Sequence, residues 1–394
     1  MRIEKGALAV ALCLMAASTG AGCSASSDSR DNSMGAAGNG VGGASVSTGG
    51  TAAAVGGSSN GGSAGTPSGG NAAAGNAAGG NAAGGNPAGG SGGTGPTSRP
   101  KIRTVGYLPS YRGSLATWAT QLDFSLVSYV NVCFGTVDDA GNVSYADTTL
   151  PAFVTAAHAA GAKVCMALGG ATTISSLGSL AGQIAPANRA GFVGKITTFA
   201  MTTGLDCIDV DFEGNGVNGD YEGFVTALSA SLKGQGKQTT AAVASWFGDK
   251  VTSGALQAFD FVNVMAYDLH NPGGSATPIQ SSSLADAKAE IDYWVGRGVG
   301  KDKAVFGVPF YGYRWKPGAT AGDAVVYSEL LSTYGAAAAA DEIMQAGVTI
   351  FLNGKATIVA KAQLAQQYGG IMTWELGQDA TGSSSLLRAI HDAP

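Results

Sequence analysis

Short apolar runs alternate with amphipathic or alanine-rich segments along the chain from Lys101 onward. The apolar runs lie within RTVGYLPSY, SLVSYVNVCFGTV, AKVCMALGG, LDCIDVDFE, QTTAAVASW, DFVNVMAYD, AVFGVPFYGY and GGIMTWEL. Segments between most of them are typical of helices, for example LPAFVTAAHAA and NRAGFVGKITTFAMTT. Near-continuous apolar strands separated by helices indicate a parallel sheet covered by helices.

Eight predicted strands within residues 101–394 match the strand number and size of a single (β/α)8 barrel, the TIM-barrel class. A doubly wound open sheet is the alternative. It is disfavoured because no glycine-rich phosphate turn follows the first strand, and GNGVNG follows the wrong strand for a dinucleotide fingerprint. The predicted organisation is a signal peptide at 1–22, a disordered glycine-rich linker at 23–100 and a barrel at 101–394.

Polar residues collect at the carboxyl ends of the predicted strands, where barrels of this class carry their chemistry. They are Tyr107 and Tyr111 on the first strand, Asp211 and Glu213 on the fourth, Tyr267 and Asp268 on the sixth, and Trp374 and Glu375 on the eighth. Packing alone does not account for this convergence, so it predicts a site at that end of the barrel.

The fourth strand carries the strongest signal, in the stretch LDCIDVDFEG at 205–214. Asp209, Asp211 and Glu213 are spaced by two residues, so on a strand they share one face. The residues between them are apolar, and acidic side chains are almost never fully buried without a partner. Asp206 falls on the opposite face, and we assign it a structural role.

This acidic strand has three possible interpretations: a solvated face, a metal site or a site of acid catalysis. A solvated face is disfavoured because a barrel strand has helices outside and packed side chains inside. A metal site is disfavoured because no Asp/Asn/Gly loop lies nearby and the three histidines show no helical pairing for zinc. Acid catalysis is favoured, since carboxyl groups held close together retain a proton near neutral pH. The prediction is thus a glycosidase without metal or cofactor.

Four segments resemble family 18 of the glycoside hydrolases, the chitinase family, whose members are (β/α)8 barrels. DCIDVDFE resembles the D-x-x-D-x-D-x-E signature, NVMAYD the M-x-Y-D motif of the sixth strand, GVPFYGYRW the seventh strand, and GGIMTWELGQDATGSSSLLRAI the eighth strand and last helix. The matches run from Arg103 to Ile390 and follow the family's order along the chain.

The resemblance implies roles for individual residues. Glu213 would protonate the glycosidic oxygen. Asp211 would hold the N–H of the substrate's 2-acetamido group, so that its carbonyl attacks the anomeric carbon and the configuration is retained. Asp209 would lie beneath Asp211 and share a proton with it. Tyr267 would donate a hydrogen bond to the acetamide oxygen.

The substrate-binding residues follow from the same resemblance. Trp374 would form the floor under the reacting sugar, with Met265 and Asp268 lining the same pocket and Tyr107 nearby. Gly169 and Gly170, at the end of the third strand, are assigned structural roles. No second nucleophilic carboxylate is needed if the substrate's own acetamide attacks, although Glu375 and Asp268 are candidates by position.

The sequence also departs from the family pattern. Ala167 stands where the family usually has Ser, so one supporting hydrogen bond is expected to be missing, and Cys207 replaces a common Gly. The stretch from Tyr313 to Glu375 looks too short for the α+β insertion that deepens some of these clefts. We therefore expect a shallower groove that suits internal cleavage of a chain.

The resemblance predicts a chitinase that cleaves β-1,4-linked N-acetylglucosamine polymers and acts as a monomer. Cleavage of N-glycan cores or of peptidoglycan is an alternative within the family, and a non-catalytic sugar-binding relative is another. Such relatives usually lose the terminal acid of the motif, which is present here as Glu213. Nucleic acid is excluded as a partner by a net charge of -5 without a basic cluster.

The N-terminus predicts export. Arg2 and Lys5 precede an apolar run and then the small residues STGAGC, which is the layout of a secretory signal peptide. Cys23 is predicted to carry a lipid that anchors the protein to a cell surface or outer membrane. Ordinary cleavage and secretion are the alternative, since Gly20 stands where lipoprotein signals usually have an aliphatic residue. The segment from Ser24 to about Arg99 has almost no large apolar side chains and predicts a flexible tether.

Cys133, Cys165 and Cys207 each fall inside a predicted strand. An exported protein is able to oxidise two of them, but buried free thiols that pack as small apolar side chains are favoured. We therefore expect three free cysteines in the barrel.

Overall fold

The computed structural model describes residues 100–171 and 177–394. The predicted signal peptide at 1–22, Cys23 and the linker up to residue 99 lie outside the described residues, so export and lipid anchoring stay predictions. Within the described ranges, no helix has the length and hydropathy needed to cross a bilayer.

Eight parallel strands close into a barrel, which confirms the predicted (β/α)8 fold. Closure is complete because the first strand pairs with the last at Val105 and Met372 and with the second at Val105 and Tyr129. The barrel strands are β1 (Thr104–Pro109), β2 (Tyr129–Val137), β4 (Lys163–Gly169), β5 (Cys207–Asp211), β6 (Gln238–Val243), β7 (Phe261–Val264), β8 (Ala304–Pro309) and β13 (Ile371–Trp374). The short strand β3 (Val143–Ser144) pairs antiparallel with β2.

Helices connect the strands, and most of them pack on the outer face of the barrel. They are α1 (Leu115–Gln121), α2 (Leu150–Ala159), α3 (Leu177–Ile184), α4 (Pro186–Thr203), α5 (Tyr221–Lys233), α6 (Ser253–Ala258), α7 (Leu284–Gly296), α8 (Tyr327–Tyr334), α9 (Lys355–Ala365) and α10 (Leu386–His391). Several begin with a side-chain cap, such as Ser114 on the amide of Thr117 and Ser283 on that of Asp286.

Successive side chains of β5 point alternately to the outside and to the inside of the barrel, as the sequence predicts. Ile208, Val210 and Phe212 face outward and pack with the helices. The ring of Phe212 stacks on that of Phe224 on α5, with 5.6 Å between ring centroids. Asp209 and Asp211 take the opposite phase and are 0% and 3% exposed, so the carboxylates point into the barrel.

An inserted α+β unit between β8 and β13 corrects the expectation that the chain is too short for one. Its antiparallel sheet consists of β9 (Tyr311–Trp315), β10 (Asp323–Val326), β11 (Glu342–Gln345) and β12 (Val348–Phe351), with α8 connecting β10 to the rest. Each strand has only four or five residues, which is why the unit fits in so short a stretch. We call this unit the inserted sheet. It removes the basis for expecting a shallow groove.

The expectation of three free cysteines is also wrong. Cys165 on β4 and Cys207 on β5 are paired in register, with 4.5 Å between their Cα atoms, and a disulfide joins them. Cys133 is buried and free. The strand register brings two thiols together that lie 42 residues apart in the sequence, and the sequence alone does not show this register.

Candidate active site

Asp209 lies at the centre of the barrel floor, where side chains from three other strands converge on it. Its Oδ2 accepts a hydrogen bond from the hydroxyl of Tyr107 at 2.6 Å. Its Oδ1 accepts from Thr240 Oγ1 at 2.5 Å and from Asn263 Nδ2 at 3.2 Å. Burial raises the pKa of Asp209, and these hydrogen bonds oppose the rise because they favour the charged carboxylate.

Thr240 and Asn263 were not predicted from the sequence, and both are fully buried. They lie on β6 and β7, one and two strands from Asp209 around the barrel. Ala167 on β4 pairs directly with Asp209 and has no hydroxyl to donate. Thr240 and Asn263 thus supply hydrogen bonds to Asp209 from the other side.

Asp211 lies one step further up the same face and has a different environment. Burial raises its pKa well above the ordinary value, with the charges of Glu213 and then Asp209 adding to the effect. Its buried Oδ1 has no hydrogen-bond partner among the described residues. The resemblance implies that Asp211 shares a proton with Asp209, but no direct hydrogen bond joins the two carboxyl groups in the described structure. Asp211 therefore offers a buried acceptor next to Glu213.

Glu213 lies at the rim of the barrel, half-buried, just after the end of β5. Burial raises its pKa to about 7, and the nearby charge of Asp268 adds to the rise. A carboxyl group with such a pKa keeps a substantial fraction of its proton at neutral pH, as a general acid must.

Asp268 follows β7 and is held by the inserted sheet. Its Oδ1 accepts hydrogen bonds from the hydroxyls of Tyr311 at 2.7 Å and Tyr313 at 2.8 Å, both on β9. Burial raises the pKa of Asp268, and the two tyrosines counteract this rise. Sequence reasoning missed both tyrosines because it assigned no inserted sheet. Their two-residue spacing in YGYRW is the signal that places them on one face of a strand.

Tyr267 and Trp374 form the aromatic part of the same pocket. Tyr267 is almost fully buried, and its hydroxyl contacts only the weak acceptor Met372 Sδ, at 3.9 Å, among the described residues. The half-buried Trp374 packs against Tyr107 and Phe134, with ring centroids 5.4 Å and 6.1 Å away. Met265 is half-buried beside them. An aromatic ring with one open face suits the apolar face of a sugar.

Tyr107, predicted to contribute to substrate binding, and Glu375, a candidate second carboxylate, are both buried and hydrogen-bonded. Tyr107 is 1% exposed and its hydroxyl binds Asp209, so it supports the acidic strand and does not line an open sugar-binding surface. Glu375 is fully buried, and it accepts hydrogen bonds from Arg112 Nε at 2.6 Å and from the amide of Gly377 at 2.7 Å. That ion pair leaves Glu375 unsuited to act as a second nucleophile.

The residues predicted to be structural have structural contacts. Asp206 accepts hydrogen bonds from the amide of Val164 and contacts His158 Nε2, each at 2.8 Å, which ties α2 to the barrel. A Cβ at Gly169, where φ is +122°, would come within 2.1 Å of the Asp211 carbonyl oxygen. The same carbonyl accepts a hydrogen bond from the amide of Gly170 at 2.7 Å. Both glycines thus allow β4 to lie close to the acidic strand.

Within the described ranges, no group of three or more His, Cys, Asp or Glu side chains is placed to hold a metal ion. The arrangement presents a carboxyl with a raised pKa at the rim, a buried acceptor below it, and a tyrosine hydroxyl with an aromatic side chain beside them. It is equipped to donate a proton to a substrate and to bind an amide group.

Comparison with known proteins finds a family whose profile matches most of the barrel. The profile of glycosyl hydrolases family 18 matches residues 103–379. A class V chitinase of Arabidopsis thaliana is 25% identical over 332 residues, which cover 70% of this chain and 86% of that protein. A chitinase-like effector of Moniliophthora roreri is 30% identical over 190 residues, which cover 42% of this chain and only 46% of that protein.

Solved structures are similar over the barrel. The GH18 chitinase ChiB from the chitin utilization locus of Flavobacterium johnsoniae is 33% identical, with a TM-score of 0.67 over 75% of this chain and 94% of that chain. The chitinase-like agglutinin RobpsCRA from Robinia pseudoacacia shares the fold, with a TM-score of 0.65 at 19% identity over 73% of this chain and 98% of that chain. Because the family profile spans well over half of the sequence and includes the acidic strand, this chain belongs to glycosyl hydrolase family 18.

Proposed function

We propose that this chain is a chitinase that hydrolyses β-1,4-linked N-acetylglucosamine polymers with retention of configuration. The observation that carries the proposal is the pairing of Glu213, whose pKa is raised to about 7, with the unpartnered Oδ1 of Asp211. One supplies a proton at neutral pH, and the other is a buried acceptor for an N–H group. A sugar with a 2-acetamido group needs both.

The chemical step begins with proton transfer from Glu213 to the glycosidic oxygen, whose bond to the anomeric carbon breaks. The acetamide carbonyl oxygen forms a bond to that carbon, which gives a cyclic oxazolinium ion. Asp211 accepts the acetamide N–H, and Tyr267 donates a hydrogen bond to the acetamide oxygen. Water, deprotonated by Glu213, then opens the ring from the face that the leaving group left, so the configuration is retained.

The hydrogen bonds of the two other candidate carboxylates, Glu375 and Asp268, support this route. Glu375 is occupied by Arg112, and Asp268 by two tyrosines. Retaining glycosidases with a protein nucleophile need a free carboxylate about 5 Å from the acid. Among the described residues at the barrel mouth, neither candidate from the sequence is free in this way. The nucleophile is therefore assigned to the substrate.

The proposal predicts that turnover depends on the N-acetyl groups. A hexamer of N-acetylglucosamine should be cleaved, whereas its fully deacetylated counterpart should react at least about 10³-fold more slowly, because an effective intramolecular nucleophile is lost. Proton NMR of the fresh products should show the β-anomer first. Equal turnover of the deacetylated hexamer, or the α-anomer first, would contradict the mechanism.

The same assay addresses specificity and mode of action. Internal cleavage, the mode expected from the sequence, would give trimers as well as dimers and tetramers among the early products of the hexamer. Release of one product size from one chain end would contradict it. Glycoproteins with N-glycans and peptidoglycan serve as comparison substrates. Faster turnover of either one than of the hexamer would favour that substrate class over chitin.

The pH profile of kcat should fall above about pH 7, since the acid step requires protonated Glu213. Asp268→Asn removes a negative charge that raises the pKa of Glu213. The carboxylate of Glu213 then forms more readily, so the pKa of Glu213 falls. The alkaline limb of the kcat profile should therefore move to lower pH. Asp302→Asn, an exposed change before β8 at the opposite end of the barrel, is the matched control. An unmoved limb in Asp268→Asn would exclude Asp268 as the cause.

A further inference from the structure

Lys361 on α9 carries an amine that is fully buried outside the site described above. Its Nζ donates three hydrogen bonds, to Ser282 O at 2.6 Å, Ser282 Oγ at 2.7 Å and Asn353 Oδ1 at 2.6 Å. All three donors of the ammonium group are thus used, and both acceptor residues are themselves buried.

Burying an ammonium group is unfavourable, because it leaves water for a medium of low polarity. Burial lowers the pKa of Lys361 to about 7, although Asp341 and Asp286 attract its charge. If the position only filled space, an apolar side chain of similar length would do so without this cost. The role of Lys361 must therefore lie in the groups that it holds.

Ser282 connects Lys361 to the strand end that carries Tyr267. The Ser282 hydroxyl donates to the carbonyl oxygen of Ala266 at 2.7 Å. Ala266 lies between Met265 and Tyr267, so its carbonyl belongs to the backbone that orients Tyr267. A continuous chain of hydrogen bonds runs from Lys361 through Ser282 to that backbone.

Asn353 connects the same point to the exit of the inserted sheet, because it follows β12. Its Nδ2 donates to Ser282 O at 2.9 Å. Next to it, Gln280 Nε2 donates to Leu352 O at 2.8 Å. The chain leaving the inserted sheet is therefore bound to the loop after β7 through buried polar contacts.

The entrance of the inserted sheet is bound to the same loop. Tyr311 and Tyr313 on β9 donate to Asp268, the residue after Tyr267. The inserted sheet is thus attached to the carboxyl end of β7 at both its entrance and its exit, and Lys361 adds three buried donors at the exit.

We propose that Lys361 is a positioning residue, which joins the inserted sheet to the end of β7 and thereby sets where Tyr267 and Asp268 lie relative to Glu213. The proposal rests on the proposed function, since its consequence is measured on the hydrolysis of N-acetylglucosamine oligomers. Lys361 itself does not contact the substrate.

Lys361→Met keeps the length of the side chain but removes all three donors. It should lower kcat on the hexamer by about tenfold to hundredfold, as expected for a small misplacement of binding groups. Ser282→Ala removes the hydroxyl that joins Lys361 to Ala266 and leaves the contacts of Lys361 with Ser282 O and Asn353 in place. It should give a smaller loss in the same direction, and it serves as the milder test if Lys361→Met does not fold. Lys355→Met, an exposed change at the start of the same helix, is the control and should leave kcat within about twofold.

A double-mutant cycle separates positioning from general loss of stability. If Lys361 acts through Tyr267, the losses caused by Tyr267→Phe and by Lys361→Met or Ser282→Ala should not add, because the first removes the hydroxyl that the second misplaces. Additive losses, or wild-type kcat in Ser282→Ala and Lys361→Met, would overturn the positioning role. If Glu213→Gln also kept full activity, the proposed function itself would fail, so the two failures are distinguishable.

Discussion

Glu213→Gln should lower kcat on N-acetylglucosamine oligomers by about 10²–10⁴-fold, the usual contribution of a general acid. The change keeps the shape of the side chain and removes only the transferable proton. Because the pKa of Glu213 is raised to about 7, the wild-type group is substantially neutral at that pH, and a neutral amide should disturb the pocket little. The melting temperature and the Kd for the hexamer should stay close to those of the wild type.

Glu222→Gln is the matched control for this experiment. Glu222 is exposed on the first turn of α5, in the helix that follows the acidic strand. It should show wild-type kcat and melting temperature. A loss of less than about tenfold in Glu213→Gln would contradict the assigned acid. Hexamer binding without turnover in the wild type would instead favour the sugar-binding alternative.

Asp211→Asn should lower kcat by about 10²–10³-fold, comparable to the loss of one preorganised group that stabilises a developing charge. The oxazolinium ion carries a positive charge that the bound substrate lacks, and the buried Oδ1 of Asp211 has no hydrogen-bond partner among the described residues. An amide side chain keeps the size of Asp211 but cannot lose a proton to oppose that positive charge. The effect should therefore appear in kcat much more than in KM.

Asp206→Asn provides the control within the same acidic stretch. Asp206 lies on the opposite face from Asp209 and Asp211, and it contacts the amide of Val164 and the side chain of His158. It should lower the melting temperature without changing kcat by more than about twofold. If Asp211→Asn raised KM and left kcat unchanged, Asp211 would act only in binding the ground state.

The fold and the acidic strand were predictable because both depend on local patterns. Apolar strands recur between helical segments from β1 to β13, and the two-residue period of the strand places Asp209, Asp211 and Glu213 on its inward face. The position of Glu213 at the rim follows from its place at the end of that strand. These features need no knowledge of distant contacts.

The partners of those residues were not predictable in the same way. Thr240 and Asn263 become partners of Asp209 only because barrel closure sets β6 and β7 beside the acidic strand. Nothing in TTAAV or FVNV indicates that a threonine or an asparagine there faces a carboxylate. The register of neighbouring strands, and not the composition of either, decides such contacts.

The amino-acid sequence by itself determined the barrel, the acidic face and the half-buried acid at its rim, because alternation along one strand is a local property of the chain. Only the tertiary structure decided that Cys165 and Cys207 are joined, that Tyr311 and Tyr313 hold Asp268, and that Lys361 binds the exit of the inserted sheet. Each of these contacts joins residues that are far apart in the sequence or lie on different elements. Strand register and packing bring such residues together, and the pattern of a single segment contains neither.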